Sequence, residues 1–248
     1  MNDRRTRIVS VVCAWAALSA LLTLLAPIPS AAQGTPACGE IANAFGPFDY
    51  RTERGNNLHL VESAHFTPMV ESLVRGNTAT APGGDLDYTL RAYPNHHRAL
   101  LSVARLGERE RKGQPNGMRY TVDCWFNRAI RFRPDDLTAR MIYAGYLYRN
   151  ARSEDAARQL AVVAKNAGDN PFTHYNAGLV YFEGKNYEQA LLEAHRAIEL
   201  GFPREELREK LKGAGKWSEP VSGATSSAPT APAASAASAA SPDAPQKQ

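Results

Sequence analysis

The chain has 248 residues, 44% of them hydrophobic, and 29 Lys and Arg against 25 Asp and Glu give a net charge of +4. So small an excess leaves no electrostatic footprint for a nucleic acid. Its three cysteines include no Cys-x-x-Cys pair and no Cys–His pair at metal spacing, which argues against redox catalysis, haem attachment and zinc. At the N-terminus, Arg4, Arg5 and Arg7 precede an uncharged run from Ile8 to Ala26, followed by Pro27, Pro29 and Ser30-Ala31-Ala32. A basic start, an apolar middle and a small-residue end predict a signal peptide over residues 1–32, cleaved after Ala32. The run is also long enough to stay as a membrane anchor. Either outcome places the rest of the chain in the periplasm or outside the cell, in a bacterial envelope. Removing residues 1–32 leaves 26 Lys and Arg against 24 Asp and Glu. Cys13 leaves with the signal. Cys38 and Cys124 then sit in an oxidising compartment and predict one disulfide, with two buried free thiols as the other reading.

Residues 33–94 read as an N-terminal cap with a partial repeat. Leu58–Leu73 has a helical pattern in which Pro68 opens a second segment, and Asp85–Leu90 forms a further helix ahead of Pro94. Gly83-Gly84 reads as a turn, with Asp85 and Asp87 in a helix-capping context. Phe45, Phe48 and Tyr50 are suited to cover the open end of the first full repeat, pinned there by Cys38.

Residues 95–216 repeat. Pro94, Pro134, Pro171 and Pro203 punctuate the region, and the same apolar rhythm precedes each of the last three: Val122, Phe126 and Ala129; Ala156, Leu160 and Val163; Ala190, Ala194 and Ala197. Steps of four then three put each trio on one helix face. Ala104, Ala144 and Gly178 recur in the preceding helices, where small residues let two helices approach. Arg109–Met118 reads as an insertion in the first unit, and Asp135-Asp136 as the N-cap of the next helix. Leu207 and Leu211 give residues 204–212 a single apolar face, as a closing helix needs. From Trp217 to Gln248 the chain is rich in Ala, Ser, Pro and Thr, has little apolar bulk and reads as a disordered tail.

Residues 171–203 resemble the tetratricopeptide repeat: Gly178, Tyr181, Ala190 and Pro203 fall on its pattern, with His174 in the usual place of Trp and Ala194 in that of an aromatic. Residues 137–170 match through Tyr143-Ala144, Leu147 and Ala156, and residues 97–134 match with the insertion. The resemblance implies an all-α fold: a short helix-turn-helix solenoid of about three repeats plus a capping helix, after an irregular N-terminal cap. The Sel1-like type, a related solenoid with slightly longer repeats whose Gly-rich inter-helix loop is lacking here, is the runner-up. The front of the chain is similar to exported proteobacterial repeat proteins of unknown function. The resemblance also implies that the first helix of each unit lines a concave face. Its ligand-facing places fall on Arg98, Arg105, Met141, Tyr148, Arg149, Phe172, Tyr175, Asn176, Leu179 and Phe182, basic at one end and aromatic at the other. Tyr and Arg are common interface anchors, and a side-chain amide such as Asn176 can both donate to and accept from a peptide unit.

The expected function is therefore an exported scaffold that binds a peptide or an envelope protein in that groove. The alternative is a basic surface associating with anionic envelope polymers or lipid headgroups, since residues 97–140 carry ten Lys and Arg against five Asp and Glu. No enzyme, cofactor, metal or nucleic-acid partner is expected. No Ser lies in a Gly-x-Ser-x-Gly context, and the adjacent side chains of His96 and His97 do not face the same way on a helix.

Overall fold

A computed structural model of the chain describes residues 38–220. The expected signal peptide and the tail beyond Pro220 lie outside the described residues. Among the described residues there are ten α-helices and no strands, so the all-helical class is observed. The helices are α1 Asn56–His65, α2 Pro68–Glu71, α3 Pro82–Ala92, α4 His97–Glu110, α5 Val122–Phe132, α6 Leu137–Arg149, α7 Ser153–Asn166, α8 Pro171–Glu183, α9 Tyr187–Glu199 and α10 Glu206–Gly213. None of them is long and apolar enough to cross a membrane. The contacts divide the described chain into two compact units, 38–142 and 143–220, with the division inside α6. The sequence reading instead places a boundary at 94/95. In the structure the front and the α4–α5 pair share one unit, because disulfide, ionic and aromatic contacts tie them together.

The helices start and stop by repeated local devices. His96, Asp136 and Asn170 each accept a hydrogen bond from the backbone N–H three residues on, at Ala99, Ala139 and Thr173 (3.2, 3.1 and 3.2 Å), and so cap α4, α6 and α8. Each cap follows a tight turn in which its own N–H reaches back to the carbonyl of Tyr93, Arg133 or Ala167. The ends of α2, α4, α6 and α8 share a second device. The N–H groups of Val74, Lys112, Arg152 and Asn186 bond the carbonyls of Met69, Gly107, Leu147 and Tyr181. Just before them, Leu73, Arg111, Ala151 and Lys185 adopt left-handed φ of 62, 53, 58 and 60°. This is the helix-ending geometry that glycine usually supplies.

In the first unit, Leu58 and Val61 of α1 pack with Tyr50, Ala92 and Tyr93, flanked by Phe45, Phe48 and Tyr88. The front aromatics therefore cover α1 and the end of α3. Cys38 and Cys124 lie at disulfide distance, with Cα atoms 5.1 Å apart. Beside them Arg128, 1% exposed, donates to the Cys38 and Glu40 carbonyls (3.0 and 2.6 Å). Its guanidinium lies over the rings of Tyr120 and Trp125. Gly83 and Gly84 are not a free turn but part of the first turn of α3. A Cβ on Gly83 would stand 1.9 Å from the Asn116 carbonyl, so the 111–121 connection can lie directly on this helix. Asp85 does not cap α3. Its carboxylate reaches back to accept the N–H groups of Asn77, Thr78 and Ala79 (2.7, 3.3 and 3.1 Å).

In the second unit, α8 and α9 form an antiparallel hairpin closed by Ala190, Ala194 and Ala197, all buried. Gly178 leaves room where α10 arrives: a Cβ there would fall 2.4 Å from Leu207 Cδ2, so the leucine would have to shift. Leu207 and Leu211 of α10 are buried, as the closing-helix pattern predicts. Trp217, assigned from the sequence to the tail, lies on this hairpin, its indole 5.0 Å from the His195 ring and 5.3 Å from the Arg208 guanidinium. His195 Nε2 donates to the Ser218 carbonyl (2.8 Å). Residues 217–219 thus pack on the last hairpin.

Candidate binding face

The groove residues inferred from the repeat pattern divide between the two units. Arg98, Arg105 and Met141 lie in the first, and Tyr148, Arg149, Phe172, Tyr175, Asn176, Leu179 and Phe182 in the second.

On α8, Phe172, Asn176 and Leu179 recur at steps of four and three and share one face. Phe172 is 57% exposed, while Asn176 and Leu179 are half-buried. One amide N–H of Asn176 donates to the Phe172 carbonyl one turn earlier (2.7 Å), which fixes the side chain along its own helix. Tyr175 differs from expectation. It is 3% exposed, packs 4.6 Å from the Phe202 ring, and its hydroxyl donates to Glu206 (3.4 Å). Burial, and then the nearby Glu206 charge, push its hydroxyl above the ordinary tyrosine value. Tyr175 therefore holds the 200–206 connection against α8 and presents no surface to a ligand. Phe182 is half-buried beside Tyr187 (5.4 Å). Tyr148 is half-buried, and its ring fills the space a Cβ on Gly184 would take. Arg149 is exposed and engaged in contacts of its own.

In the first unit, Met141 is 6% exposed and belongs to the core rather than to a surface. Arg98 is exposed but committed: its Nε donates to Glu71 (2.8 Å), a second bond joins the same carboxylate, and Glu62 lies 3.6 Å away. The Glu71 hydrogen bond holds the Arg98 pKa above its usual value. Arg105 is exposed and makes no ion pair with the described residues. Of the two arginines placed at this basic end, Arg98 is therefore taken by Glu71 and Glu62, while Arg105 keeps its charge uncancelled. Of the ten residues, Phe172, Asn176 and Leu179 form the face best placed to meet a partner.

The histidines are held singly. His96 is buried and stacked on Tyr50 (4.1 Å); its Nδ1 accepts the capping bond and its Nε2 donates to Glu62 (3.0 Å). Burial holds its pKa below the ordinary histidine value, against the opposing pull of Glu62. His97 turns instead to Asp136 (2.8 Å), so the pair shares no target. Asp136 also accepts from Asn95 (2.8 Å), which donates to Asp49 (2.7 Å), itself paired with Arg51 and Arg133. The Arg51 hydrogen bond leads in holding Asp49 well below the usual carboxylate range. This buried network joins the front segment, the turn before α4 and the start of α6. Sequence reasoning missed it, although Pro94-Asn95-His96-His97 and Pro134-Asp135-Asp136 visibly alternate amide, imidazole and carboxylate groups. In the second unit His174 bridges Glu193 (2.6 Å) and the Gly168 carbonyl (2.9 Å), locking α8 to α9. Among the described residues no group of three or more His, Cys, Asp or Glu is arranged to hold a metal ion.

Compared with known proteins, the chain matches no family model, no curated protein and no solved structure.

Proposed function

We propose that this chain is an exported, tetratricopeptide-like repeat protein whose work is to bind a peptide or protein partner across the outward face of α8. The observation that carries the reading is the Phe172–Asn176–Leu179 row: a 57%-exposed aromatic with a half-buried amide and leucine at its side, on a helix fixed from behind by Gly178, His174 and Tyr175. Rigidly backed aromatic side chains anchor interfaces at little conformational cost. The repeat assignment is supported by the recurrence of two devices, the i+3 caps of α4, α6 and α8 and the left-handed ends of α2, α4, α6 and α8. Recurring connections at corresponding places are what a solenoid of helical hairpins requires. Export is supported by the Cys38–Cys124 pair, which suits an oxidising compartment. The reading assigns no reaction to the chain.

The test is the double variant Phe172→Ala, Leu179→Ser, used with the native protein to recover partners from cell envelopes. Loss of a specific co-purifying protein, with helicity and thermal midpoint kept, supports the reading. Equal recovery by a folded double variant removes it.

A further inference from the structure

Among the described residues the first unit exposes three large hydrophobic side chains, Leu60 on α1 and two more, Met69 and Val74, that flank one turn after α2. Met69, 47% exposed, and Val74, 68% exposed, stand together there, because the N–H of Val74 closes the turn onto the Met69 carbonyl (2.9 Å). Leu73 between them points inward, 7% exposed, with its backbone at φ 62°. Arg75 follows, exposed and without an ion pair among the described residues. Residues 98, 102, 105 and 109 share one face of α4, and three of them touch this segment. Arg98 pairs with Glu71, Ser102 donates to the Glu71 carbonyl (3.1 Å), and Arg109 donates to the Leu73 carbonyl (2.6 Å). Arg105 lies on the same face, exposed and without an ion pair among the described residues. The carbonyl that Arg109 binds is neutral, so its charge is not cancelled there. Two protruding apolar side chains are thus accompanied by three arginine charges, while Glu71, the acid within the turn, is already taken by Arg98.

The loop beyond is fixed. Asp85, fully buried, gathers the N–H groups of Asn77, Thr78 and Ala79, bonds the Thr78 hydroxyl and meets His65 Nδ1 (2.9 Å). Gly76 has no room for a Cβ, since the Ala79 carbonyl would lie 1.9 Å from it. The tip is therefore held in place rather than free to fold its apolar residues under.

We propose that this tip, Met69 and Val74 with Arg75, Arg105 and Arg109, docks on an anionic lipid bilayer, the apolar pair entering the headgroup region while the arginines meet lipid phosphates. Charge complementarity selects the occupant. An apolar peptide would leave the three arginines unmatched, and a side chain as open as Val74 has no cleft walls to enclose a ligand. Apolar insertion flanked by basic residues is the arrangement that holds proteins at anionic interfaces.

The test uses the full chain carrying Val74→Trp, with the unsubstituted chain subtracted so that only the added tryptophan is read. Vesicles of phosphatidylcholine with about one third phosphatidylglycerol, brominated in the acyl chains, should blue-shift and quench the added emission. Three arginines near an anionic surface favour it over phosphatidylcholine alone by on the order of a hundredfold. Arg75→Glu with Arg105→Glu should abolish the preference, and Leu192→Trp in the second unit should stay unquenched. The proposal is overturned if the Val74→Trp emission is unchanged by both vesicles in a protein of native helicity, or if Leu192→Trp responds equally. It is also overturned if polyglutamate moves the emission and vesicles do not, which would assign the tip to an acidic protein. None of these results bears on the α8 face, which is read through other residues.

Discussion

Replacing Cys38 and Cys124 together with alanine, or reducing the native protein, should lower the stability of the first unit sharply. The bond joins residues 86 apart in sequence. Closing a loop of that length removes unfolded-chain entropy equivalent to about 4–5 kcal/mol at room temperature. The native contacts around the bond do not depend on it. Arg128 would still donate to the Cys38 and Glu40 carbonyls, and Arg131 to that of Gly39 (3.2 Å). The folded segment should therefore stay docked, and the loss should appear as easier unfolding rather than as a changed fold. For a unit of the size of residues 38–142 the loss corresponds to a fall of roughly 20–35 °C in Tm. The assay is thermal unfolding followed by circular dichroism at 222 nm, on the oxidised, reduced and double-alanine forms. A fall shared by the last two, with native helicity at low temperature, is expected. A midpoint lowered by less than about 2 °C would refute the reasoning, because a cross-link of this span within one cooperative unit cannot be silent in the chain-entropy account.

Three further predictions rest on single side chains. His96 is neutral in the fold, capping α4 through Nδ1, and burial holds its pKa below the unfolded value. Its contribution is therefore complete above pH about 6.5 and is lost progressively as pH falls below that. Urea midpoints should drop between pH 7 and pH 5, and His96→Asn, which can keep the cap, should flatten that slope; an unchanged slope contradicts the assignment. At the α8–α9 turn, neighbouring substitutions should act in opposite directions. Gly184→Ala pushes a Cβ to within 2.4 Å of the Tyr148 ring and should cost about 1–3 kcal/mol. Lys185→Gly relieves a left-handed φ of 60° and should stabilise by about 1 kcal/mol. Denaturant titration of both variants checks this, and equal signs would rule out the turn geometry. Arg128→Ala removes the donors to two buried carbonyls and leaves a cavity between Tyr120 and Trp125, at a cost of about 2–4 kcal/mol; a near-wild-type midpoint would contradict its role.

Helix positions were legible because burial imposes a period. Val122, Phe126 and Ala129, then Ala156, Leu160 and Val163, then Ala190, Ala194 and Ala197, are all buried where the four-then-three rhythm puts them. The pairing of Cys38 with Cys124 was legible for a different reason, since only two thiols remain beyond the expected signal. The left-handed helix ends were not legible. Leu73, Arg111, Ala151 and Lys185 are not the residues that sequence rules associate with positive φ, and only the surrounding hydrogen bonds impose it. The candidate binding face was legible in part. A repeat pattern marks which positions turn away from the second helix, but not which of those the next connection covers. Tyr175 went under Phe202 and the 200–206 connection, and Met141 into the core. Arg98 illustrates the same limit for charge, because Glu71 and Glu62 are distant in sequence and nothing local shows that they claim it. Gly83-Gly84 looked like a turn because two glycines usually break a helix; here they admit a backbone that packs on one.

The proposed function is tested most directly by placing a photo-crosslinking residue at Phe172 or Leu179 on α8, and at Leu192 on α9 as a control that is exposed to a similar degree as Phe172 (55% against 57%). Irradiation in intact cells is followed by analysis of the adducts by mass. The account predicts the same discrete protein adduct from positions 172 and 179 and none from 192. Adducts from 192 alone, or no adduct from either α8 position in a correctly folded protein, would contradict it.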